Sequence, residues 1–160
     1  MAEPPLLTLT DVTLGFGGRP LFAGVTFSIA PAERLCIVGR NGSGKSTLMK
    51  IAAGLVEPDR GERFVKPGVT VAYLPQEPNL TDHATLADYV AAPLAEEDRW
   101  RAEAAMDGLE IDGALDPATA SGGERRRAAL ARLIAGAPDL MLLDEPTNHL
   151  DIAAIEWLEE

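Results

Sequence analysis

Residues 39–46 of this 160-residue chain read Gly39-Arg40-Asn41-Gly42-Ser43-Gly44-Lys45-Ser46, which matches G-x-x-x-x-G-K-[ST] at every fixed position. An apolar run, residues 34–38, precedes them, and residues 45–53 are predicted to form a helix that Gly54 ends. A buried strand, a glycine-rich turn and a helix are the context in which this pattern forms a phosphate-binding loop. The alternative, a glycine-rich turn that only begins a helix, does not account for that context.

The chemistry of this loop follows from its residue types. Glycines let the backbone curl with its N–H groups facing inward, and the helix N-terminus adds further donors for an anion. Lys45 places a positive charge on the β- and γ-phosphates, and the Ser46 hydroxyl can ligate Mg²⁺. We therefore predict binding of a nucleoside triphosphate, ATP with Mg²⁺. The predicted nucleotide-binding residues of this loop and the helix after it are Gly39, Arg40, Asn41, Gly42, Ser43, Gly44, Lys45, Ser46 and Thr47.

A second pattern is an apolar strand, Leu140–Leu143, that ends in two acids, Asp144 and Glu145. Alone, such a pair is usually a solvated strand end. Together with a phosphate-binding loop upstream it indicates a Walker B motif. Asp144 would then hold Mg²⁺ through its water shell, and Glu145 would orient or deprotonate the attacking water.

A third pattern begins a predicted helix over residues 122–135. Ser121 and Glu124 have the S-x-x-E spacing of a capping box, and most such boxes do nothing except cap a helix. Gly122 and Gly123 are poor helix formers, however, which suggests that something approaches the backbone closely there. An exposed helix N-terminus is also a surface for phosphate, so capping and binding are compatible.

The remaining secondary structure predicts an α/β fold. An antiparallel pair is expected at 7–14 and 21–29, a second hairpin at 62–65 and 69–74, and helix over 85–107 with a break at Pro93. Residues 34–38 are expected to be a buried strand that holds Cys36 as a small apolar residue. A last helix is expected after Asp151.

Composition narrows the function classes. The net charge of −11 makes the domain a poor nucleic-acid binder on its own, although residues 125–127 form a local basic patch of three arginines. The lone cysteine cannot form an internal disulfide. The sequence shows neither a signal peptide nor an apolar stretch long enough to cross a bilayer, so we expect a cytoplasmic protein with no intrinsic membrane segment.

Together these motifs resemble the nucleotide-binding domain of ABC ATPases. Residues 144–151 and 121–130 resemble the ABC-F subfamily in particular, and within it the Uup-like group. The resemblance covers nearly the whole chain. It implies a P-loop NTPase of the ABC type, with the loop strand and the Walker B strand in a parallel core, an antiparallel N-terminal β layer and a small helical subdomain at about 80–135. In this interpretation, residues 1–160 are one ABC ATPase domain that is incomplete at its C-terminus.

The resemblance also implies roles for single residues. Phe16 stacks on adenine, although it could be an ordinary strand aromatic. Gln76 is the Q-loop residue that senses Mg²⁺ and the γ-phosphate. The implied catalytic residues are Glu145, Lys45 and Gln76, and the implied metal ligands are Ser46, Gln76 and Asp144. The signature that contacts ATP on an opposing domain is Ser121, Gly122, Gly123 and Glu124, and the D-loop at the domain interface is Leu150 and Asp151.

The sequence departs from the family pattern in three ways. Ala120 replaces a leucine, at a packing position. The 45 residues from Gln76 to Ser121 leave no obvious room for a long arm insertion. Neither His83 nor His149 can be the family's switch histidine, so we expect the 160 residues alone to hydrolyse ATP slowly or not at all.

The implied partner is a second ABC domain, in the same chain or in a homodimer. For the full-length protein, the ribosome or nucleic acid are further candidate partners. The alternative function is the ATP-binding subunit of a membrane transporter.

Overall fold

The computed structural model describes residues 4–145. These residues form two compact units. The first unit consists of residues 4–73 and 139–144, and the second of residues 74–138 and 145. The predicted last helix, with Leu150 and Asp151, lies outside the described residues.

The first unit begins with an antiparallel pair of strands, β1 (Leu7–Phe16) and β2 (Arg19–Ile29). Gly17 and Gly18 form the connection, and both have positive φ angles, 67° and 123°. A two-residue hairpin loop matches the twist of its strands when its residues take such angles, which favours glycine. The predicted N-terminal antiparallel pair is confirmed.

The other edge of β1 is covered by β3 (Arg60–Val65), which gives an antiparallel sheet in the order β2-β1-β3. The next strand, β4 (Val71–Leu74), belongs to a different sheet, where it pairs with β5 (Leu140–Leu143). The predicted hairpin between residues 62–65 and 69–74 is therefore wrong. Thr70 explains the separation, because its backbone N–H and its hydroxyl both donate to Asp139 Oδ2 at 2.8 Å and bring this part of the chain to the start of β5.

The helix after the glycine-rich loop, α1 (Lys45–Ala53), has the predicted bounds. Gly54 ends it in the left-handed conformation that glycine adopts most easily (φ 79°). Ile51 is fully buried, which contributes about 1.5–3 kcal/mol. The core around it consists of Leu7, Leu9, Val12, Leu14, Ile29, Leu48, Ala52, Leu140 and Leu142.

The segment before the loop, residues 34–38, differs from its prediction. It forms no strand, and its side chains at Leu35 and Val38 are 44% and 93% exposed. Cys36 is exposed as well, so the predictions of a buried strand and of a buried cysteine are wrong. A strand forms only where its N–H and C=O groups pair with a neighbouring strand, and this segment belongs to neither described sheet.

The second unit is mainly helical. It contains α2 (Leu86–Ala91), a short 3₁₀ turn (Glu96–Asp98), α3 (Arg99–Gly108) and α4 (Gly122–Ala135). The predicted break near Pro93 and the predicted bounds of α4 are confirmed. The bounds of a helical subdomain at about 80–135 stay a prediction. Strands and helices in this order confirm the α/β class.

Candidate functional site

The glycine-rich loop leads directly into α1, and its backbone adopts the shape that the motif requires. Gly42 and Gly44 have φ angles of 80° and 90°, in the left-handed region. At Gly39 an added Cβ would lie only 2.7 Å from Ser43 Oγ, so a side chain there would have to displace the serine hydroxyl. Gly42 and Gly44 need to be glycine because residues with a side chain rarely adopt their φ angles.

The N-terminus of α1 is available to an anion. Its N-cap residue is Gly44, and no side chain caps the helix there. The first N–H groups of a helix have no intrahelical acceptor, and the helix dipole adds a partial positive charge at the same end. Uncapped donors that open from a glycine loop fit the phosphates of a nucleotide.

Lys45 lies at the mouth of this loop. Its Nζ donates to the carbonyl oxygen of Gly39 at 2.6 Å and to that of Arg40 at 3.2 Å. The ammonium is thus held against the loop, where a phosphate would meet both its charge and the backbone donors. Ser46, the following residue, is half-buried in the first turn of α1.

Asp144 directly follows β5 and is almost fully buried, with 2% of its surface exposed. Tyr73, in β4, donates its hydroxyl to Asp144 Oδ2 at 3.1 Å. A buried carboxylate is costly unless it is hydrogen-bonded, and this contact offsets part of the cost. The two neighbouring strands thus fix the acid that was predicted to face Mg²⁺.

Gln76 and Glu145 meet in the second unit, although 69 residues separate them in sequence. Gln76 Nε2 donates to Glu145 Oε2 at 3.1 Å, and both side chains are exposed. Glu145 has a φ angle of 49°, which is uncommon for a residue other than glycine. Two residues that were predicted to act together in catalysis are therefore in contact.

The start of α4 is a complete capping box, as the sequence predicted. Glu124 N–H donates to Ser121 Oγ at 3.3 Å, and both the N–H and the hydroxyl of Ser121 donate to Glu124 Oε2 at 2.7 Å. The hydroxyl bond first, and then the backbone bond, hold the pKa of the Glu124 carboxyl below its usual range. Gly122 is exposed, and a Cβ on it would meet nothing within 4 Å, so this helix end is open to an approaching group.

The three arginines after the signature do not form one surface patch, contrary to the prediction. Arg126 is buried, with 3% of its surface exposed, and donates to the carbonyl oxygens of Pro75, Gln76 and Glu145. Arg125 donates instead to the carbonyl oxygen of Ala118, at 3.2 Å.

Sequence reasoning missed Arg126, although a signal was present. Positions three, four and seven residues further along α4 are Ala129, Leu130 and Leu133, and all three are buried. Residues at this spacing lie on one face of a helix, so the buried position of Arg126 follows from helical periodicity.

The other predicted residues have simpler surroundings. Phe16 ends β1 and is 74% exposed, so its ring is free to stack on a planar group. Thr47 is half-buried in α1, and Ala120 is buried, in keeping with a packing position. The D-loop residues, Leu150 and Asp151, lie outside the described residues.

Within residues 4–145, no group of three or more His, Cys, Asp or Glu side chains could hold a metal by itself. Mg²⁺ in nucleotide sites is usually held by one or two protein oxygens together with phosphate oxygens and water. The Ser46 hydroxyl and the Asp144 carboxylate are hard oxygen donors of the kind that such a site uses. Their chemistry fits Mg²⁺ that arrives with a nucleotide.

Comparison with known proteins supports a nucleotide site. The sequence profile of the ABC transporter family matches residues 22–148. The chain is 52% identical over 160 residues to the ATP-binding protein Uup of Caulobacter vibrioides. The match covers 99% of this chain and 26% of that protein. It is 35% identical to the energy-dependent translational throttle protein EttA of Mycobacterium tuberculosis, over 97% of this chain and 35% of that protein.

A protein named for zinc import is also similar. The zinc import ATP-binding protein ZnuC 1 of Hahella chejuensis is 39% identical, over 95% of this chain and 60% of that protein. The chain thus spans only about a quarter of the Uup relative and about a third of EttA.

A solved structure agrees with these sequence matches. A dimeric ATP-binding cassette in a post-hydrolysis state, bound to ADP and Pi, superimposes with a TM-score of 0.83 and 26% identity, covering 95% of this chain and 79% of that chain. The family profile extends from β2 beyond Glu145 and therefore includes both the phosphate-binding loop and the two acids. The family that the motifs suggested is confirmed: the chain belongs to the ABC transporter family.

Proposed function

We propose that this chain binds ATP with Mg²⁺ and hydrolyses it, as the first nucleotide-binding domain of a soluble, cytoplasmic ABC-F protein of the Uup-like group. The observation that carries the catalytic part is the hydrogen bond between Gln76 and Glu145. It joins the residue proposed to sense the γ-phosphate to the residue proposed to act on water.

The first unit supplies binding. Its loop amides and Lys45 hold the phosphates, and the exposed Phe16 ring stacks on the base. Ser46 and Asp144 hold the metal. When bound, Mg²⁺ neutralises the charge that builds up on the phosphates.

The second unit supplies the group that acts on water. Glu145 is exposed, so water can reach its carboxylate, and the amide of Gln76 fixes one carboxylate oxygen. The other oxygen is left to accept a proton from water or to orient it. The open start of α4, at Ser121 and Gly122, is proposed to contact ATP bound to a second ABC domain, in the same chain or in a homodimer.

The test of the catalytic part is Glu145→Gln in the protein encoded by the complete gene. Removing a general base lowers turnover by roughly 10²–10⁴-fold, whereas the loop that binds ATP is untouched. Phosphate release should therefore fall by at least that lower factor, while binding of a fluorescent ATP analogue stays within threefold of wild type. Unchanged hydrolysis would refute the assignment.

Two control variants accompany Glu145→Gln. Glu97→Gln removes an exposed carboxylate in the 3₁₀ turn and should change neither measurement. Lys45→Ala removes the charge at the loop and should abolish binding.

The biological role that we propose is in translation or in a nucleic-acid transaction. The similarity to EttA supports it, as does the resemblance of residues 144–151 to the ABC-F subfamily. Among the described residues, no helix is both long and apolar enough to cross a membrane.

The similarity to ZnuC 1 favours a second candidate, the ATP-binding subunit of a membrane transporter. Sedimentation distinguishes the two roles. ATP-loaded Glu145→Gln protein should pellet with purified ribosomes, and Lys45→Ala protein should not. Copurification with an integral membrane protein, without ribosome binding, would favour the transporter.

A further inference from the structure

Arg126 joins two loops that are far apart in sequence. One of its terminal nitrogens, Nη1, donates to the carbonyl oxygens of Pro75 and Gln76, the second at 2.8 Å. The other, Nη2, donates to the carbonyl oxygen of Glu145 at 3.0 Å. The same buried guanidinium thus contacts the backbone on both sides of the Gln76–Glu145 hydrogen bond.

The rigid guanidinium group of Arg126 keeps the two loops at a fixed separation. Its nitrogens are coplanar and rigidly separated, and each terminal nitrogen points its hydrogens in a fixed direction. Because Nη1 holds the Gln76 loop and Nη2 holds Glu145, the separation of the two backbones is set by the width of the group. The 3.1 Å contact between the Gln76 and Glu145 side chains depends on that separation.

Glu145 also needs a restraint of this kind. Its φ of 49° lies in the left-handed region, which residues with a side chain occupy only when the surrounding structure holds them there. The hydrogen bond from Arg126 to the Glu145 carbonyl acts on the same residue. The direction of the carboxylate therefore depends on the conformation that Arg126 helps to maintain.

We infer that Arg126 is a positioning residue for ATP hydrolysis, which holds the Gln76 and Glu145 backbones so that the Glu145 carboxylate faces the attacking water. This inference rests on the proposed function. Arg126 touches neither nucleotide nor water in this role, and it acts through Glu145. It is thus expected to influence the chemical step and to leave nucleotide binding alone.

The test variant is Arg126→Lys in the protein encoded by the complete gene. Lysine keeps the charge and nearly the length, but its ammonium is a point donor that cannot bridge two loops at a fixed distance. A misplacement of about 1 Å in an active site can cost about 10²-fold in rate. We expect kcat to fall by about 10–100-fold and both KM and the Kd for ATP to change less than threefold.

Arg132→Lys is the matched control. Arg132 lies on the same helix, donates to the carbonyl oxygen of Tyr89 at 3.0 Å and stacks over the Tyr89 ring at 4.6 Å. The substitution removes the same kind of arginine-to-carbonyl bond without touching Gln76 or Glu145. It should leave kcat unchanged, even if it lowers Tm as much as Arg126→Lys does.

Two measurements separate positioning from a general loss of structure. First, kcat is expressed per nucleotide-binding site, titrated with ATP, so that unfolded molecules do not count. Second, Arg126→Lys is combined with Glu145→Gln. If Arg126 acts through Glu145, adding Arg126→Lys to the Glu145→Gln protein should lower the residual turnover less than twofold.

Four outcomes would overturn the inference: an unchanged kcat, a fall equal to that of Arg132→Lys, a loss of ATP binding, or an equal fall in both Glu145 backgrounds. Failure of the proposed function looks different. In that case the wild-type protein lacks ATPase activity, or Glu145→Gln retains it.

Discussion

Tyr73→Phe tests whether the buried acid at the end of β5 is fixed by its neighbouring strand. The substitution deletes one oxygen atom and keeps the ring. It removes the hydroxyl that donates to Asp144 Oδ2 at 3.1 Å, while Asp144 is only 2% exposed. Water has little access to replace the lost hydrogen bond.

The expected cost follows from the charge and burial of the acceptor. A hydrogen bond to an ionised group contributes about 1.5–3 kcal/mol, and the low exposure of Asp144 places this one in the upper part, about 2–3 kcal/mol. For a domain of this size, each kcal/mol corresponds to about 2–4 °C in Tm. Tyr73→Phe should therefore lower the Tm of this domain by about 4–12 °C.

Differential scanning calorimetry gives the measurement, with ATP used to identify the transition that belongs to this domain. Tyr89→Phe is the control, because the Tyr89 hydroxyl makes no hydrogen bond to the rest of residues 4–145 although the side chain is 8% exposed. Its Tm should change by less than 2 °C, which corresponds to about 0.5 kcal/mol.

A second background isolates the charge. In Asp144→Asn protein the acceptor is neutral, and Tyr73→Phe should cost only about 1 kcal/mol. Equal Tm shifts for Tyr73→Phe and Tyr89→Phe would refute the reasoning, because the hydrogen bond from Tyr73 to Asp144 would then have no effect on stability.

Two further predictions concern stability. Gly61→Ala should cost at least about 3 kcal/mol, because its φ of 92° strains alanine by about 1–2 kcal/mol and the added Cβ would lie 2.5 Å from two carbonyl oxygens of β1. Gly68→Ala, with a φ of 85° and nothing within 4 Å, should cost only the strain in urea unfolding, and equal costs would contradict this account. Hydrogen bonds lower the pKa of Glu124 and that of Asp139 in the folded state. Each carboxylate therefore stabilises the fold at pH values above its unfolded pKa, and this stabilisation is lost as the pH falls through the folded pKa. Unfolding curves of Glu124→Gln and Asp139→Asn should depend less steeply on pH than wild type below the usual values of 4.5 and 3.8, and a steeper dependence would contradict the assignment.

The parts of the fold that local chemistry determines were predictable. α1 and α4 have their predicted bounds because a glycine ends the first and a capping box begins the second. The pairing of distant strands was not predictable in this way. Residues 62–65 and 69–74 were predicted to form a hairpin, but β3 pairs with β1 and β4 pairs with β5. Neither partner is next in sequence, so local residues do not reveal the pairing.

Residues 34–38 show a related limit of sequence patterns. The run is apolar enough for a buried strand, but a strand forms only when its N–H and C=O groups pair with another strand, and this run pairs with no strand of the described sheets. An apolar pattern therefore indicates that a segment could be buried, but it does not show whether neighbouring strands are present to pair with it.

For the site, the loop, the two acids and the capping box could be located from motif spacing, because each chemistry requires particular residue types within a few positions. Arg126 could not be found in that way, because its acceptors are backbone carbonyls, and any residue type has one. Only its place on the apolar face of α4 was visible in the sequence. The structure was needed to show that the carbonyls of Gln76 and Glu145 converge on it.

The contacts around Arg126 also bear on how binding and turnover are divided within the domain. The proposed phosphate-binding loop consists of the backbone of residues 39–46 and of Lys45, which donates to the carbonyl oxygens of Gly39 and Arg40. The orientation of Glu145 depends on Gln76 and Arg126, which belong to the second unit. Because these two sets of contacts share no residue, a substitution in one set should leave the other intact. Nucleotide affinity should therefore respond to changes in the loop, and turnover at saturating ATP to changes around Arg126.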